Sequence, residues 1–114
     1  MHILANVYRV ARGDFMIIFK GKKAVCGVLL TIDRGWRYKM TADDTLVVKI
    51  VDKDRNVLTK NYTAADCDDI DKYVTVELSP AETQTMSLGR GTLTAYLNDL
   101  VVIRPTEFYV KEAI

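Results

Sequence analysis

The chain has 114 residues, of which 49% are hydrophobic and 27% are charged, a composition typical of a globular protein with one domain. Its 16 lysines and arginines nearly balance 15 aspartates and glutamates, so we do not expect a nucleic-acid partner bound by phosphate neutralisation. No apolar run is long enough to span a bilayer and no signal peptide is recognisable, so neither a membrane partner nor secretion is expected.

In the first half of the chain, short apolar runs alternate with polar turns, which is typical of β-strands. Residues 1–14 have no consistent spacing, so we expect an N-terminal extension or an edge strand there. Residues 15–114 are expected to form a single domain. Strands are predicted over residues 15–19, 24–32, 36–40, 45–51 and 57–63.

Residues 73–97 carry the most regular pattern in the chain and predict a strand, a helical turn and a second strand. Apolar and polar residues alternate in the first part, as in a half-buried strand. Ser79 then supplies an N-cap oxygen, Pro80 takes the first helical position, and Glu82 completes a capping box. These residues predict a short helical turn over about residues 80–88.

Two glycines follow this turn. Gly89 and Gly91 are expected to close it, because glycine accepts a positive φ without steric cost. Further strands are predicted at residues 93–97, at 100–104 and around Phe108. About eight short strands and no long helix indicate an all-β sandwich or barrel. A capped turn between two strands is how the chain of a sandwich passes from one sheet to the other.

Trp36, Arg37 and Tyr38 form the candidate interface. Tryptophan, tyrosine and arginine dominate the energetic hot spots of protein interfaces, and aromatic side chains beside cations also suit sugars or single-stranded nucleic acid. The competing interpretation places Trp36 and Tyr38 in the core and leaves the cations Arg37 and Lys39 in water. We favour the core, because large aromatic side chains dominate the energetics of burial.

Asp66, Asp68, Asp69 and Asp71 form an acidic cluster that is a candidate cation site. An EF-hand loop needs oxygen ligands at its first, third, fifth and twelfth positions and glycine at its sixth. A loop that starts at Asp66 has isoleucine at the fifth position and aspartate at the sixth, so the motif fails. A generic cation site within residues 66–71 stays open, but a solvated acidic loop is the interpretation that we favour.

The residues that catalysis would need are scarce. His2 is the only histidine, so the chain lacks material for a Ser-His-Asp triad or a histidine-based metal site. Cys26 lies in an apolar run and is predicted to be a small core residue, whereas Cys67 lies in the acidic loop. Neither cysteine has a histidine base close to it in the sequence. We therefore expect no enzymatic activity, no metal and no cofactor.

Four segments stand in a distinctive order: IIFKGKKAV at 17–25, DRGWRYKMTADDTLVVKI at 33–50, VTVELSPAETQTMSLGRG at 74–91, and TEFYVKE at 106–112. This order resembles a family of phage and prophage structural proteins that includes the N-terminal domain of the upper baseplate protein of tailed phages. In that family a Leu-x-Pro-x-x-Thr turn leads through a leucine and a glycine to an aromatic-rich strand. Residues 79–83, Leu88 and Gly91 match this part of the pattern.

The resemblance implies an all-β fold, an immunoglobulin-like antiparallel β-sandwich, without catalytic activity. It implies assembly with other phage structural proteins, and a homo-oligomer is a further candidate. The protein would then be a virion component of the tail or baseplate, made in a bacterial cytoplasm, that acts through contacts at its sheet edges. The alternative hypothesis is a β-sandwich module that binds carbohydrate or a cell-surface ligand with Trp36 and Tyr38.

Overall fold

The strands pair into two sheets in the computed structural model, which describes residues 3–8, 17–32, 38–67, 73–101 and 106–113. Within these residues there are nine strands and one short α-helix, α1 (Pro80–Gln84). In chain order the strands are β1 (Ile3–Tyr8), β2 (Ile17–Phe19), β3 (Ala24–Ile32), β4 (Leu46–Val51), β5 (Val57–Tyr62), β6 (Tyr73–Leu78), β7 (Gly89–Leu97), β8 (Leu100–Val101) and β9 (Thr106–Lys111).

The first sheet has the strand order β1-β3-β6, and the second has the order β2-β9-β7-β4-β5, with β8 paired to β7. The predicted all-β sandwich is confirmed. Its described strand pairs are antiparallel except for β2 and β9, which run parallel. The sequence did not predict this parallel pair, because it joins two strands from opposite ends of the described chain.

The core lies between the sheets and is built from every second residue of the central strands, the period that the sequence pattern predicted. Cys26 is fully buried in it, as predicted, and burial raises the pKa of its thiol. The buried residues of β3, β4, β6 and β7 include Val28, Leu30, Leu46, Val48, Ile50, Val74, Val76, Leu78, Leu93, Ala95 and Leu97.

The predicted strand over residues 36–40 is wrong in its described part. Tyr38, Lys39 and Met40 lie outside any strand, and residues 36 and 37 lie outside the described residues. The backbone N–H of Tyr38 donates to the carbonyl of Leu30 at 2.9 Å, but Lys39 and Met40 do not continue this bond into a ladder. Within the described residues, the alternation of Tyr38 and Lys39 therefore does not mark the two faces of a sheet.

α1 carries the chain from the first sheet to the second. The hydroxyl of Ser79 accepts a hydrogen bond from the N–H of Glu82 at 3.1 Å, and the Glu82 carboxylate accepts one from the N–H of Ser79 at 2.8 Å. The helix is shorter than the predicted turn, since it ends after five residues. The buried hydroxyl of Thr83 donates to the carbonyl of Lys22 at 2.7 Å. Lys22 lies where the chain passes from β2 to β3, so the two crossings between the sheets are tied together.

Gly89 and Gly91 have different roles. Gly89 has a φ of +120°, the positive value expected of a residue that closes the turn. Gly91 lies within β7 without a positive φ, so its predicted role is wrong. A Cβ at position 91 would lie 2.5 Å from the carbonyl oxygen of Val51 and would overlap the ring of Phe108. Gly91 therefore lets two neighbouring strands and an aromatic ring approach closely.

Candidate protein-binding edge

Two buried aspartates hold β4 at its two ends. Asp44 precedes the strand and Asp52 follows it. Asp52 accepts hydrogen bonds from the backbone N–H groups of Asp54, Asn56 and Ser87 and from the side-chain amide of Asn56, at 2.9 to 3.1 Å. Since Ser87 lies just before β7, this carboxylate ties the β4–β5 hairpin to the start of β7.

Asp44 has a comparable role at the other end of β4. It accepts hydrogen bonds from the Tyr38 hydroxyl at 2.5 Å, from the N–H and hydroxyl of Thr41 at 2.8 and 3.2 Å, and from the Asn98 amide at 2.8 Å. Asn98 also bonds the backbone of Thr45 in both directions, at 2.9 and 3.0 Å. Because Asn98 directly follows β7, both ends of β4 are joined to the ends of β7.

Both carboxylates are held in the ionised form. Burial alone would raise the pKa of Asp52, but hydrogen bonds from Asn56 and Ser87 outweigh it and hold the pKa below its usual range. Burial of Asp44 is likewise outweighed, chiefly by the Tyr38 hydroxyl, so its pKa is also lowered. These acids are structural, because their oxygens are already occupied by donors, and together they fix the position of β4 and of the strand beside it.

That neighbouring strand, β5, is the outer strand of the second sheet and pairs with β4 alone among the described strands. The N–H of Asp52 donates to the carbonyl of Asn56 at 3.1 Å, which sets the alternation of hydrogen bonds along the antiparallel pair. Every second residue from Leu58 onward therefore directs its backbone groups toward β4. The residues whose N–H and C=O groups point away from the sheet are Val57, Thr59 and Asn61.

The side chains along this edge do not protect it. Natural proteins usually blunt exposed edges with charges, prolines or bulges. Val57, Thr59 and Asn61 carry no charge, and Val57 is 59% exposed. The charged residue of the strand, Lys60, is held away by Glu82, whose carboxylate oxygens lie 2.7 and 2.8 Å from its Nζ. This ion pair, followed by the bond from the Ser79 backbone, holds the pKa of Glu82 below its usual range.

An open cleft of about 280 Å³ lies between β5 and α1. Its apolar lining includes Ile50, Val57, Leu58, Ala81 and Met86, and Ile50 and Met86 also belong to the core. Two of these residues are in the edge strand itself. A chain that pairs with β5 would therefore run beside the cleft.

The other sheet edges of the described residues are shorter, partly covered or defined only in their backbone. β2 has only three residues. Along β6, Cys67 forms a bridge with Val74, and Tyr62 is partly buried against the core. Burial, followed by nearby charges, raises the pKa of the Tyr62 hydroxyl to about 12. β1 forms the outer edge of the first sheet, but its side chains lie outside what the structure describes. β5 is thus the open edge for which both backbone and side chains are defined.

Tyr38 is the member of the candidate interface that the structure places. Trp36 and Arg37 lie outside the described residues. The ring of Tyr38 is partly buried against the core, and its hydroxyl bonds Asp44, which raises the pKa of Tyr38. This placement agrees with the core interpretation of the aromatic residue rather than with an exposed platform.

The acidic cluster is described only at its beginning. Asp66 ends a 3-10 turn (Ala64–Asp66), and its carboxylate accepts a hydrogen bond from the N–H of Thr63 at 2.9 Å. Asp68, Asp69 and Asp71 lie outside the described residues. The sequence assigned Cys67 to the loop, but this reduced thiol is buried, since its backbone bridges to β6. No group of three or more potential metal ligands occurs in the described residues.

Sequence reasoning did not single out β5 as a docking site, although its uncharged alternate residues were visible in the predicted strand 57–63. Which strand of a hairpin lies at the edge depends on the distant pairing of β4 with β7. A local pattern does not encode that pairing.

The helix in the described part of the chain is too short to cross a membrane.

Comparison with known proteins places the fold. No family model and no curated protein matches this chain. The filamin domain of Lin-41 is similar with a TM-score of 0.63 at 15% identity, and the match covers 96% of this chain and 93% of that one. The alkylpurine DNA glycosylase AlkC of Pseudomonas fluorescens, bound to DNA with an abasic site analog, is similar with a TM-score of 0.50 at 13% identity, over 96% of this chain and 30% of that one. The filamin likeness confirms the immunoglobulin-like β-sandwich, and at this identity it shows the fold alone.

Proposed function

We propose that this protein is a non-catalytic structural component of a phage or prophage virion, an assembly module of the tail or baseplate. It joins neighbouring virion proteins through protein–protein contacts, and the site of contact is the open edge of β5. The observation that carries the proposal is the row of outward backbone groups at Val57, Thr59 and Asn61 in a strand with uncharged outward side chains.

An extended segment of a neighbouring protein is the occupant that fits this edge. The outward N–H and C=O groups repeat along β5 with the spacing of a strand, so an added strand can pair with all of them. A helix or an irregular loop would cover the same groups without satisfying them, and an unsatisfied buried donor or acceptor costs about 1–3 kcal/mol. Main-chain pairing thus supplies affinity at this edge.

The absence of catalysis is supported by the state of the two buried acids. The oxygens of Asp44 and Asp52 are occupied by donors, and both pKa values are below the usual range, so neither acid is poised to exchange a proton near neutral pH. The virion part of the proposal rests on the resemblance of the sequence segments, including the turn that forms α1. Protein docking is favoured over sugar binding, because Tyr38 packs against the core and its hydroxyl is engaged by Asp44.

Incorporation into phage particles tests the proposal. The tagged gene is expressed in the bacterium that carries it, phage production is induced, and purified particles are examined by mass spectrometry. We expect the wild-type protein and Thr59→Val in the particles and Thr59→Pro only in the unassembled fraction. Proline removes the outward N–H of the edge but leaves the ladder to β4 intact, whereas valine keeps that N–H.

Two results would contradict the proposal. Absence of the wild-type protein from purified particles would exclude the virion role. Incorporation of Thr59→Pro at the wild-type level would exclude the β5 edge as the docking site. Urea unfolding of both variants serves as the control, since residue 59 is exposed and neither change should shift the midpoint strongly.

A further inference from the structure

The outward groups of β5 are arranged symmetrically about Thr59. Val57 and Asn61 lie two residues to either side of it, and the side chains of all three residues are exposed. A twofold axis perpendicular to a strand places the same strand of a second copy alongside it in the opposite direction. The β5 edges of two copies would therefore meet as antiparallel strands, and each would present the same row of N–H and C=O groups to the other.

The direction of these groups limits the registers in which two copies of β5 can pair. In an antiparallel pair, residues that exchange both of their N–H···O=C bonds lie directly opposite each other. With the axis at Thr59, this residue lies opposite its own symmetry mate, and Val57 lies opposite Asn61 of the second copy. All three outward residues of each copy are then paired. With the axis at any other point of β5, at least one of the three lies opposite a residue outside the row.

The side chains of β5 favour the same register. Thr59 would lie beside its own symmetry mate, and threonine pairs across strands are stabilised by hydrogen bonds between their hydroxyls. Lys60, whose Nζ lies 2.7 Å from the Glu82 carboxylate, would lie opposite Leu58 of the second copy. An axis at Lys60 would instead place two lysines directly opposite each other, which is destabilising. Lys60 thus disfavours the neighbouring register without opposing the pairing about Thr59.

We propose that the partner of β5 is a second copy of this protein. The β5 strands of the two copies pair about a twofold axis at Thr59, so that their second sheets become one continuous sheet. The net charge of +1 opposes such self-association little. This inference rests on the proposed docking at β5 and names the neighbouring subunit. Because β5 has six residues, against about 20–30 on each side of a stable interface, the dimer should be reversible.

Sedimentation velocity of the purified full chain over a series of concentrations tests self-association. We expect a monomer–dimer equilibrium for the wild type and for Thr59→Val. Thr59→Pro should be monomeric at concentrations at which the wild type is mostly dimeric, because proline removes the N–H at the centre of the pairing. A wild type that stays monomeric, or a dimer that persists in Thr59→Pro, would overturn self-pairing at this edge.

Cross-linking tests the register and does not depend on the proline variant. In the proposed dimer the two copies of residue 59 have their Cα atoms about 5.5 Å apart, whereas the two copies of residue 61 are about 14 Å apart. A short bis-maleimide should therefore join Thr59→Cys into covalent dimers but not Asn61→Cys. It should also join a mixture of Val57→Cys and Asn61→Cys, although neither variant is joined alone. The wild type, in which Cys26 and Cys67 are buried, gives the background.

The outcomes distinguish this inference from the proposed function. Cross-linking of Asn61→Cys alone, or no cross-linking of Thr59→Cys, would overturn the pairing about Thr59. A wild-type protein that stays monomeric but enters phage particles would overturn self-pairing and leave docking of another virion protein at β5 intact. A protein that dimerises through residue 59 but is absent from the particles would overturn the virion role and leave the dimer standing.

Discussion

Each end of β4 is held by a buried aspartate, but the two carboxylates accept hydrogen bonds from different kinds of donors. At the Asp52 end, three of the four hydrogen bonds come from backbone N–H groups, and the loop that supplies most of them is the hairpin itself. At the Asp44 end, three of the four come from the side chains of Tyr38, Thr41 and Asn98. The first end depends on the path of the chain, and the second depends on the identity of its neighbours.

Because of this difference, substitutions of the surrounding residues affect the two aspartates differently. Replacing a neighbour of Asp52 usually leaves its backbone donors in place, so the carboxylate itself is the vulnerable group. Replacing a neighbour of Asp44 removes a donor directly. The loop of the β4–β5 hairpin is therefore held by the single residue Asp52. The Asp44 end of β4 is held by a set of side chains that depend on one another.

The largest expected effect is that of Asp52→Ala. The substitution leaves the N–H groups of Asn56 and Ser87 without their acceptor and should reduce the free energy of unfolding by about 3 kcal/mol, as measured by urea denaturation. The control is Asp54→Ala in the same loop. This substitution keeps the N–H of residue 54 that donates to Asp52, and it should reduce the free energy of unfolding by less than about 1 kcal/mol. Equal losses for the two variants would show that Asp52 does not organise the loop.

A comparison of two asparagines tests the dependence on neighbours. Asn98→Gly keeps the freedom to adopt the positive φ of 50° but removes the amide that joins Asp44 to β7, and we expect a loss of about 2 kcal/mol. Asn56→Ala removes one of four donors to Asp52 and should cost about 1 kcal/mol. The reverse order in urea unfolding would contradict the contrast between the two ends.

Removal of the helix cap tests whether the two ends of β4 contribute independently to stability. Ser79→Ala removes the side-chain acceptor of the capping box and should cost about 0.5–2 kcal/mol. Amide hydrogen exchange should quicken at Thr83 and Met86, near α1, and stay unchanged at Asn98, whose N–H bonds Thr45 at the other end. Unchanged stability would mean that the capped turn does not contribute to the fold.

The smallest and most specific expected effect is on the pH dependence of unfolding in acid. The pKa values of Asp44 and Asp52 are lowered by folding, so their contribution is present above the unfolded value of about 3.9 and is lost as the pH falls through the lower folded values. We expect the urea midpoint of the wild type to decrease as the pH is lowered through this range. The midpoint of Asp52→Asn should be lower at neutral pH and fall less on acidification. Parallel pH profiles would exclude this role of Asp52.

Much of the fold follows from local patterns in the sequence. The alternation in β4, β6 and β7 predicted which residues are buried, because each side chain of a strand points to the face opposite its neighbours. The cap at Ser79 could be predicted because Ser79 and Glu82 are three residues apart and bond each other. In both cases the partners lie within one strand or one helical turn.

The rest depends on partners that are distant in the chain. Asp44 and Asp52 lie between predicted strands, and no local pattern marks the bond of Asp44 to Asn98 or the bond of Asp52 to Ser87. The need for glycine at position 91 arises from Phe108 in a neighbouring strand. The status of β5 as an edge likewise follows from the arrangement of the whole sheet. The candidate site was therefore not predictable from the sequence, although the strand that forms it was.

The parallel pairing of β2 with β9 has a consequence for the order of folding. β9 is the described strand partner of β2, and it leaves the ribosome long after β2 has been synthesised. The antiparallel pairs β3–β6 and β4–β5 can form earlier, whereas β2 must wait for nearly all of the described chain. Contacts so far apart in sequence are slow to form. We therefore expect closure of the second sheet by β2 and β9 to be a late event in folding.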